Sequence, residues 1–228
     1  WLNTLARAVG GIEGDASKEQ SSETLKQVEA LEQQFLAMGT ATNHEFEKSA
    51  AKIQTELAKP PTFEPAQVEL GTILGFSAGN KESDAAPDPW WLGDKIGIVF
   101  EDHASGKETT VFGANKARQA SSHPKWIKKN VPGTESMKIL PILVTPCTKA
   151  KSGADPQLDN VRYWALDDFR AWATHAIGVL RELKGTFPGE GDLVWRAEAG
   201  QRLESEGLTL ESIVRDRPMA TDAMKIVA

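Results

Sequence analysis

From Ser22 to Leu57 the apolar residues recur at spacings of three and four: Leu25, Val28, Leu31, Phe35 and Leu36, then Phe46, Ile53 and Leu57. That period predicts amphipathic helix, with Ser21 or Ser22 available as the cap and Gly39-Thr40 dividing it in two. Lys59-Pro60-Pro61 then stops the chain from continuing as helix. Residues 1–60 are therefore read as an antiparallel helical hairpin or coiled-coil arm, a connector or partner surface able to support oligomerisation. The stretch 1–21, with Gly10, Gly11 and Gly14, is expected to be a loosely ordered entry segment.

Beyond Pro61 the pattern becomes mixed. Pro65–Gly75 reads as a short helix carrying Val68, Leu70, Ile73 and Leu74, and 77–89 as a polar loop ending in Asp88-Pro89. Trp90-Trp91-Leu92 and Ile96–Phe100 read as two strands joined by a tight turn at Gly93-Asp94. Ser105-Gly106-Lys107 predicts another turn, with Glu108–Phe112 returning as a strand. Asn115–Lys129 is helical and basic, divided by Pro124. Ile139–Val144 is the strongest central strand, although its Pro141 argues for an edge or a bulge. Val161–Ala165 adds a strand, and Asp167 or Asp168 is the expected cap of a helix running to Leu183. This order predicts an α/β or α+β fold with a mixed sheet flanked by helices. Its core is expected at 61–184, with 185–228 as a weakly helical extension.

The apolar runs are far too short to span a bilayer, so no membrane partner is expected. A single cysteine, Cys147, excludes an internal disulfide framework and multi-cysteine zinc sites, and fits the reducing cytoplasm. The opening residues lack a secretory pattern, and a start at Trp1 is expected of a piece of a longer protein. The formal charge of −6 argues against a uniformly basic nucleic-acid binder. Its distribution says more. Glu64–Asp102 holds eight acidic and two basic residues, whereas Ser105–Lys151 holds nine basic and two acidic ones. An acidic segment followed by a basic one suits a metal site beside a phosphate-binding surface; two ordinary solvated faces are the alternative.

Hydrolysis of a phosphodiester needs an activated water and neutralised phosphate charge. Divalent ions supply both and prefer carboxylate oxygens. Asp88 stands before one strand and Glu101 ends the next, so a hairpin at Gly93-Asp94 would bring them together. The period of two places Glu101 and His103 on one side, where two carboxylates are expected to raise the His103 pKa.

These residues resemble a known family. Pro87-Asp88, followed thirteen residues after Asp88 by Glu101-Asp102-His103, is similar to the PD…(D/E)XK signature of restriction-endonuclease-like nucleases. The text DPWWLGDKIGIVFEDHAS looks like the PD…W…D…VVFEAKS segment of that superfamily, and the element order resembles its α-β-β-β-α-β core. The likeness covers roughly Glu64–Pro146. It implies Asp88 and Glu101 as metal ligands, Glu69 as an added acidic ligand and Gln119 as a polar residue facing substrate or lysine. It further implies Mg²⁺ or Mn²⁺ as cofactor and an endodeoxyribonuclease module of a bacterial restriction or anti-phage protein, with partner domains or subunits. DNA is the expected substrate, RNA the alternative. His103 occupies the place of the family's lysine, for which Lys107 or Lys116 are substitutes. A domain that has lost cleavage and only binds DNA or protein is the competing reading, and a purely structural role is the third.

Lys107, Lys116, Arg118, Lys125, Lys128 and Lys129 are the candidate phosphate-backbone contacts. Bland alternatives stand beside these roles. Asp88 suits a turn, Glu101 and Asp102 suit a solvated strand end, and Glu69 suits a helix surface. His44, His123 and His175 read as structural or exposed, and Cys147 as a packed thiol. Of Trp90 and Trp91, one is expected in the core, while either would stack on bases.

Overall fold

The computed structural model describes residues 21–40, 42–81 and 87–227. The expected entry segment falls almost wholly outside the described residues, as does the middle of the 77–89 loop. Helices α1 (Ser22–Ala37) and α2 (His44–Leu57) form where the 3.6 period predicts them. The Ser21 hydroxyl accepts the Thr24 N–H at 3.1 Å and starts α1. A connector arm was the expectation, and the structure corrects it. Val28, Leu31, Phe35, Phe46 and Ile53 are at most 1% exposed and belong to one apolar cluster that also contains Phe100, Ile142, Phe169 and Trp195. The apolar stripe is wide enough to be buried against the rest of the chain, so no separate core begins at Pro61.

Helix α3 (Phe63–Ile73) leads into a five-stranded sheet of order β1-β2-β3-β5-β7. Its strands are β1 (Ser77–Gly79), β2 (Trp90–Leu92), β3 (Ile96–Asp102), β5 (Lys138–Thr145) and β7 (Arg162–Ala165). The first three form an antiparallel meander; β5 lies parallel to β3, and β7 parallel to β5. Helix α4 (Ala114–Asn130) makes the crossover from β3 to β5 and runs unbroken through Pro124. The mixed α/β class is thus as expected. β1 is an addition, too short and polar to read as a strand.

Val111–Phe112 is no return strand on β3. As β4 it joins a small parallel sheet with β6 (Lys149–Lys151) and β8 (Lys225–Val227). Pro141 sits inside a central strand after all. Its neighbours Leu140 and Ile142 direct their backbone groups towards β3, so the missing Pro141 N–H faces the β7 side, where pairing begins only at Ile142. No ladder bond is lost. Helix α5 (Asp155–Leu158) is a single turn. Helix α6 (Leu166–Gly185) starts at Ala165 without a side-chain cap, and Asp167 and Asp168 lie in its first turn, where the helix dipole favours them. The extension folds as α7 (Leu193–Ser205), α8 (Leu210–Arg215) and α9 (Ala220–Ala223), and Trp195, Leu203 and Ile213 enter the main core. No described helix is long and apolar enough to cross a membrane.

Strand β3 separates two apolar clusters. Ile98 and Phe100 point into the main core, while Val99 faces Ile127 of α4 on the other side. Trp91 anchors the main side: it is fully buried, stacks with Phe76 and Trp172, meets Phe100 edge-on at 4.8 Å, and donates its indole N–H to Gln67 O at 2.9 Å. Gly71 on α3 makes room for it, since a Cβ there would lie 2.2 Å from the indole Cδ1 and Nε1. Gly71→Ala should therefore lower stability by about 1–3 kcal/mol through overpacking. A thermal melt within a degree of the parent would contradict that account.

Candidate functional site

The β2–β3 hairpin brings Asp88 to the end of β3. Trp90 pairs with Val99, and continuing the antiparallel register sets Asp88 opposite Glu101. Phe100 N–H donates to Pro89 O at 2.9 Å, and the Asp102 N–H donates to Asp88 Oδ2. The convergence expected from the turn at Gly93-Asp94 is present. Its partners divide between the two faces of the sheet.

Glu101 shares the α4 face with Val99. Lys116 Nζ lies 2.7 Å from its Oε1, and His123 Nε2 lies 2.8 Å from its Oε2. Lys116 and His123 are seven residues apart, two turns of α4, so one helix face presents both to one carboxylate. Burial alone would push the Glu101 pKa up, but His123 and Lys116 hold it below the usual carboxylate range. The Lys116 ammonium is stabilised in turn: its pKa is raised against the effect of burial by Glu101, Asp88 and Glu64.

Asp102 points to the opposite face with Ile98 and Phe100, beside α3. Burial first, then the charges of Asp88, Glu64 and Glu101, push its pKa well above the ordinary value. The Gln67 amide lies near enough to favour the ionised form slightly, yet neither its atoms nor the Asp102 oxygens complete a hydrogen bond. A buried, unbonded carboxylate is costly. Asp88 lies between the two sides and is raised to about 6, by burial first and then by Glu101, with Glu64 adding and the Asp102 amide and Lys116 opposing. Four carboxylates thus share one region, and the Lys116 ammonium and the His123 imidazole both bond to one of them, Glu101.

Other expected residues lie elsewhere. Glu69 is only partly exposed but forms an ion pair with Lys52 of α2, and it is Glu64, in the first turn of α3, whose charge reaches Asp88 and Asp102. His103 directs Nδ1 at Thr145 Oγ1 (3.3 Å) and Cys147 Sγ (3.5 Å). Burial and the neighbouring Lys116 lower its pKa against a weaker opposing effect of Glu101, opposite to the expected shift. Cys147 is packed as expected, with a histidine contact that sequence spacing did not reveal. Gln119 is exposed one turn beyond Lys116, and Arg118 bonds Asn115. Lys107 is exposed in the turn after β3, and Lys125, Lys128 and Lys129 are exposed at the end of α4.

Three contributors escaped the sequence reading: His123, Glu64 and the burial of Asp102. The i, i+7 spacing of Lys116 and His123 was a usable signal for the first. Only the packing of α3 against Trp91 of β2 distinguishes Glu64 from Glu69. Among the described residues no group of three or more His, Cys, Asp or Glu side chains is arranged to hold a metal ion as it stands. The apolar cleft bounded by Gln27, Phe76, Leu92 and Leu210 lies at the other end of β2 and contains none of this constellation. Comparisons with protein-family models, curated proteins and solved structures find no match to this chain.

Proposed function

We propose that the chain is a divalent-metal-dependent nuclease module that hydrolyses phosphodiester bonds in DNA, built on a PD-(D/E)XK-like core. The observation that carries this reading is the buried Asp102 carboxyl at the end of β3, gathered with Asp88 and Glu64. Carboxyls whose burial and mutual repulsion oppose ionisation are what a hard cation with oxygen ligands would hold in the ionised form. The arrangement of α3, the β1-β2-β3 meander, the α4 crossover and parallel β5 supports the same reading. The bacterial defence setting and a cytoplasmic location remain part of the proposal, the first from the resemblance and the second from the single free cysteine.

Asp88, Asp102 and Glu64 are the residues that would hold Mg²⁺ or Mn²⁺, in place of the Asp88, Glu101 and Glu69 set implied by the signature. Bound there, the ion would polarise the phosphate and lower the pKa of its water. Lys116 takes the part of the family's lysine. Glu101 and the buried His123 orient it, and its half-exposed ammonium is free to meet phosphate oxygens. His123 is a positioning residue. His103, its pKa lowered by burial and by Lys116, keeps a neutral imidazole just beyond the end of β3.

A thermal-shift titration tests the ion site without reading activity. Mg²⁺ or Mn²⁺ at about one hundred times its dissociation constant should stabilise the parent by roughly 2.7 kcal/mol. Glu69→Gln should respond equally, and Asp88→Asn should respond little. Equal shifts in all three chains would remove the proposed ligands.

A further inference from the structure

We propose that Trp90 and Trp126 form a stacking platform for single-stranded DNA beside the carboxylate site. Their ring centroids lie 6.2 Å apart at an interplanar angle of 39°, and both rings are only half-buried. Such a tilted pair leaves indole surface facing solvent, although Trp91, the next residue, is fully buried.

The sheet fixes where this surface lies. Trp90 pairs with Val99, and Val99 shares its face with Glu101, so Trp90 stands on the α4 side. It is two residues from Asp88 along the same extended segment, a separation of about 6.6 Å. Across β1 it pairs with Gly79, where a Cβ would come within 2.9 Å of the indole. The glycine lets the ring lie flat over β1. Trp126 completes the platform from the last turns of α4.

Charge around the rings fits a nucleic-acid backbone. Lys81 Nζ stands 5.9 Å from the Trp126 ring centroid. Lys129 is one helical turn beyond Trp126, Lys125 immediately precedes it, and both are exposed. An apolar partner would meet the ammonium groups of Lys81 and Lys129 here, whereas a DNA strand offers bases to the indoles and phosphates to the lysines. Paired bases inside a duplex have their faces covered by neighbours, so the platform selects unpaired ones. The register then leads a strand stacked on Trp90 towards Asp88 and Lys116. Only this last step rests on the hydrolytic reading.

The test is binding of the full chain in chelator, so that cleavage plays no part. A labelled thymidine oligonucleotide of about twelve nucleotides should bind about tenfold more tightly than a duplex of the same length and should quench tryptophan fluorescence. Trp126→Leu, which keeps apolar volume without an aromatic face, should weaken single-strand binding about tenfold, while Trp126→Phe should retain most of it. Lys129→Ala should reduce the salt dependence by about one counterion. Equal affinity for duplex and single strand would overturn the proposal, as would a folded Trp126→Leu chain that binds like the parent. An RNA strand of matching sequence that binds tenfold tighter would overturn the assignment to DNA. Selective single-strand binding by a chain that cleaves nothing would support the platform and remove only the hydrolytic reading.

Discussion

Asp88→Asn should make the metal-free protein more stable at pH 8 while abolishing cleavage. Burial and the charge of Glu101 raise the Asp88 pKa to about 6. The native state therefore binds more protons than the unfolded chain between pH 4 and 6, and stability falls as pH rises through that window. Above it the ionised carboxylate costs about 2–3 kcal/mol, from a shift of about two units at about 1.4 kcal/mol each. Asparagine keeps an oxygen to accept the Asp102 N–H, so the local geometry should survive. The variant should melt roughly 4–12 °C above the parent at pH 8, and the two melting points should approach each other near pH 4. A variant less stable than the parent at pH 8 would show that Asp88 is structural. Groups retained against stability are the mark of functional sites.

Lys116→Met should lower kcat by about 100-fold or more with little change in KM, the usual effect of removing a donor aimed at developing charge. It also leaves the 3%-exposed Glu101 with His123 alone, so the melt should fall as well. Adding His103→Lys to the Lys116→Met chain separates the two effects. It restores an ammonium two residues after Glu101, where the signature has its lysine, without repairing the ion pair on α4. The double variant should recover part of kcat and little of the stability. Unchanged kcat in Lys116→Met would transfer the lysine's role to Lys107 or leave a binding module.

The legible parts of the fold were those where one face decides everything. Helices α1, α2 and α6 and strands β2, β3 and β5 follow from apolar period alone. The small β4-β6-β8 sheet did not, because its strands have two or three residues each and pair across 38 positions (Val111 with Lys149) and 76 positions (Lys149 with Lys225). The role of residues 22–57 was misjudged for a related reason: periodicity reports that a stripe is apolar, not what covers it. In the site, Asp88 was found through its position before a strand, and Lys116 through its place on the basic helix. Glu64 and Glu69 are indistinguishable in sequence, since each is a glutamate on α3. Their difference is rotational, because the face of α3 that meets Trp91 of β2 carries Gln67 and Gly71 and leaves Glu69 towards α2. His103 sits where strand period places it, but the end of β5 takes its Nδ1 and burial keeps it neutral.

The central claim is that Asp102 and Asp88, not Glu69, serve a metal-dependent hydrolytic site. Nicking of supercoiled plasmid with Mg²⁺ or Mn²⁺ by the parent, Asp102→Asn and Glu69→Gln tests it most directly. The account predicts nicked product from the parent and from Glu69→Gln at similar rates, and none from Asp102→Asn or in chelator. Nicking by Asp102→Asn at the parental rate, or no nicking by the parent with either ion, would contradict it.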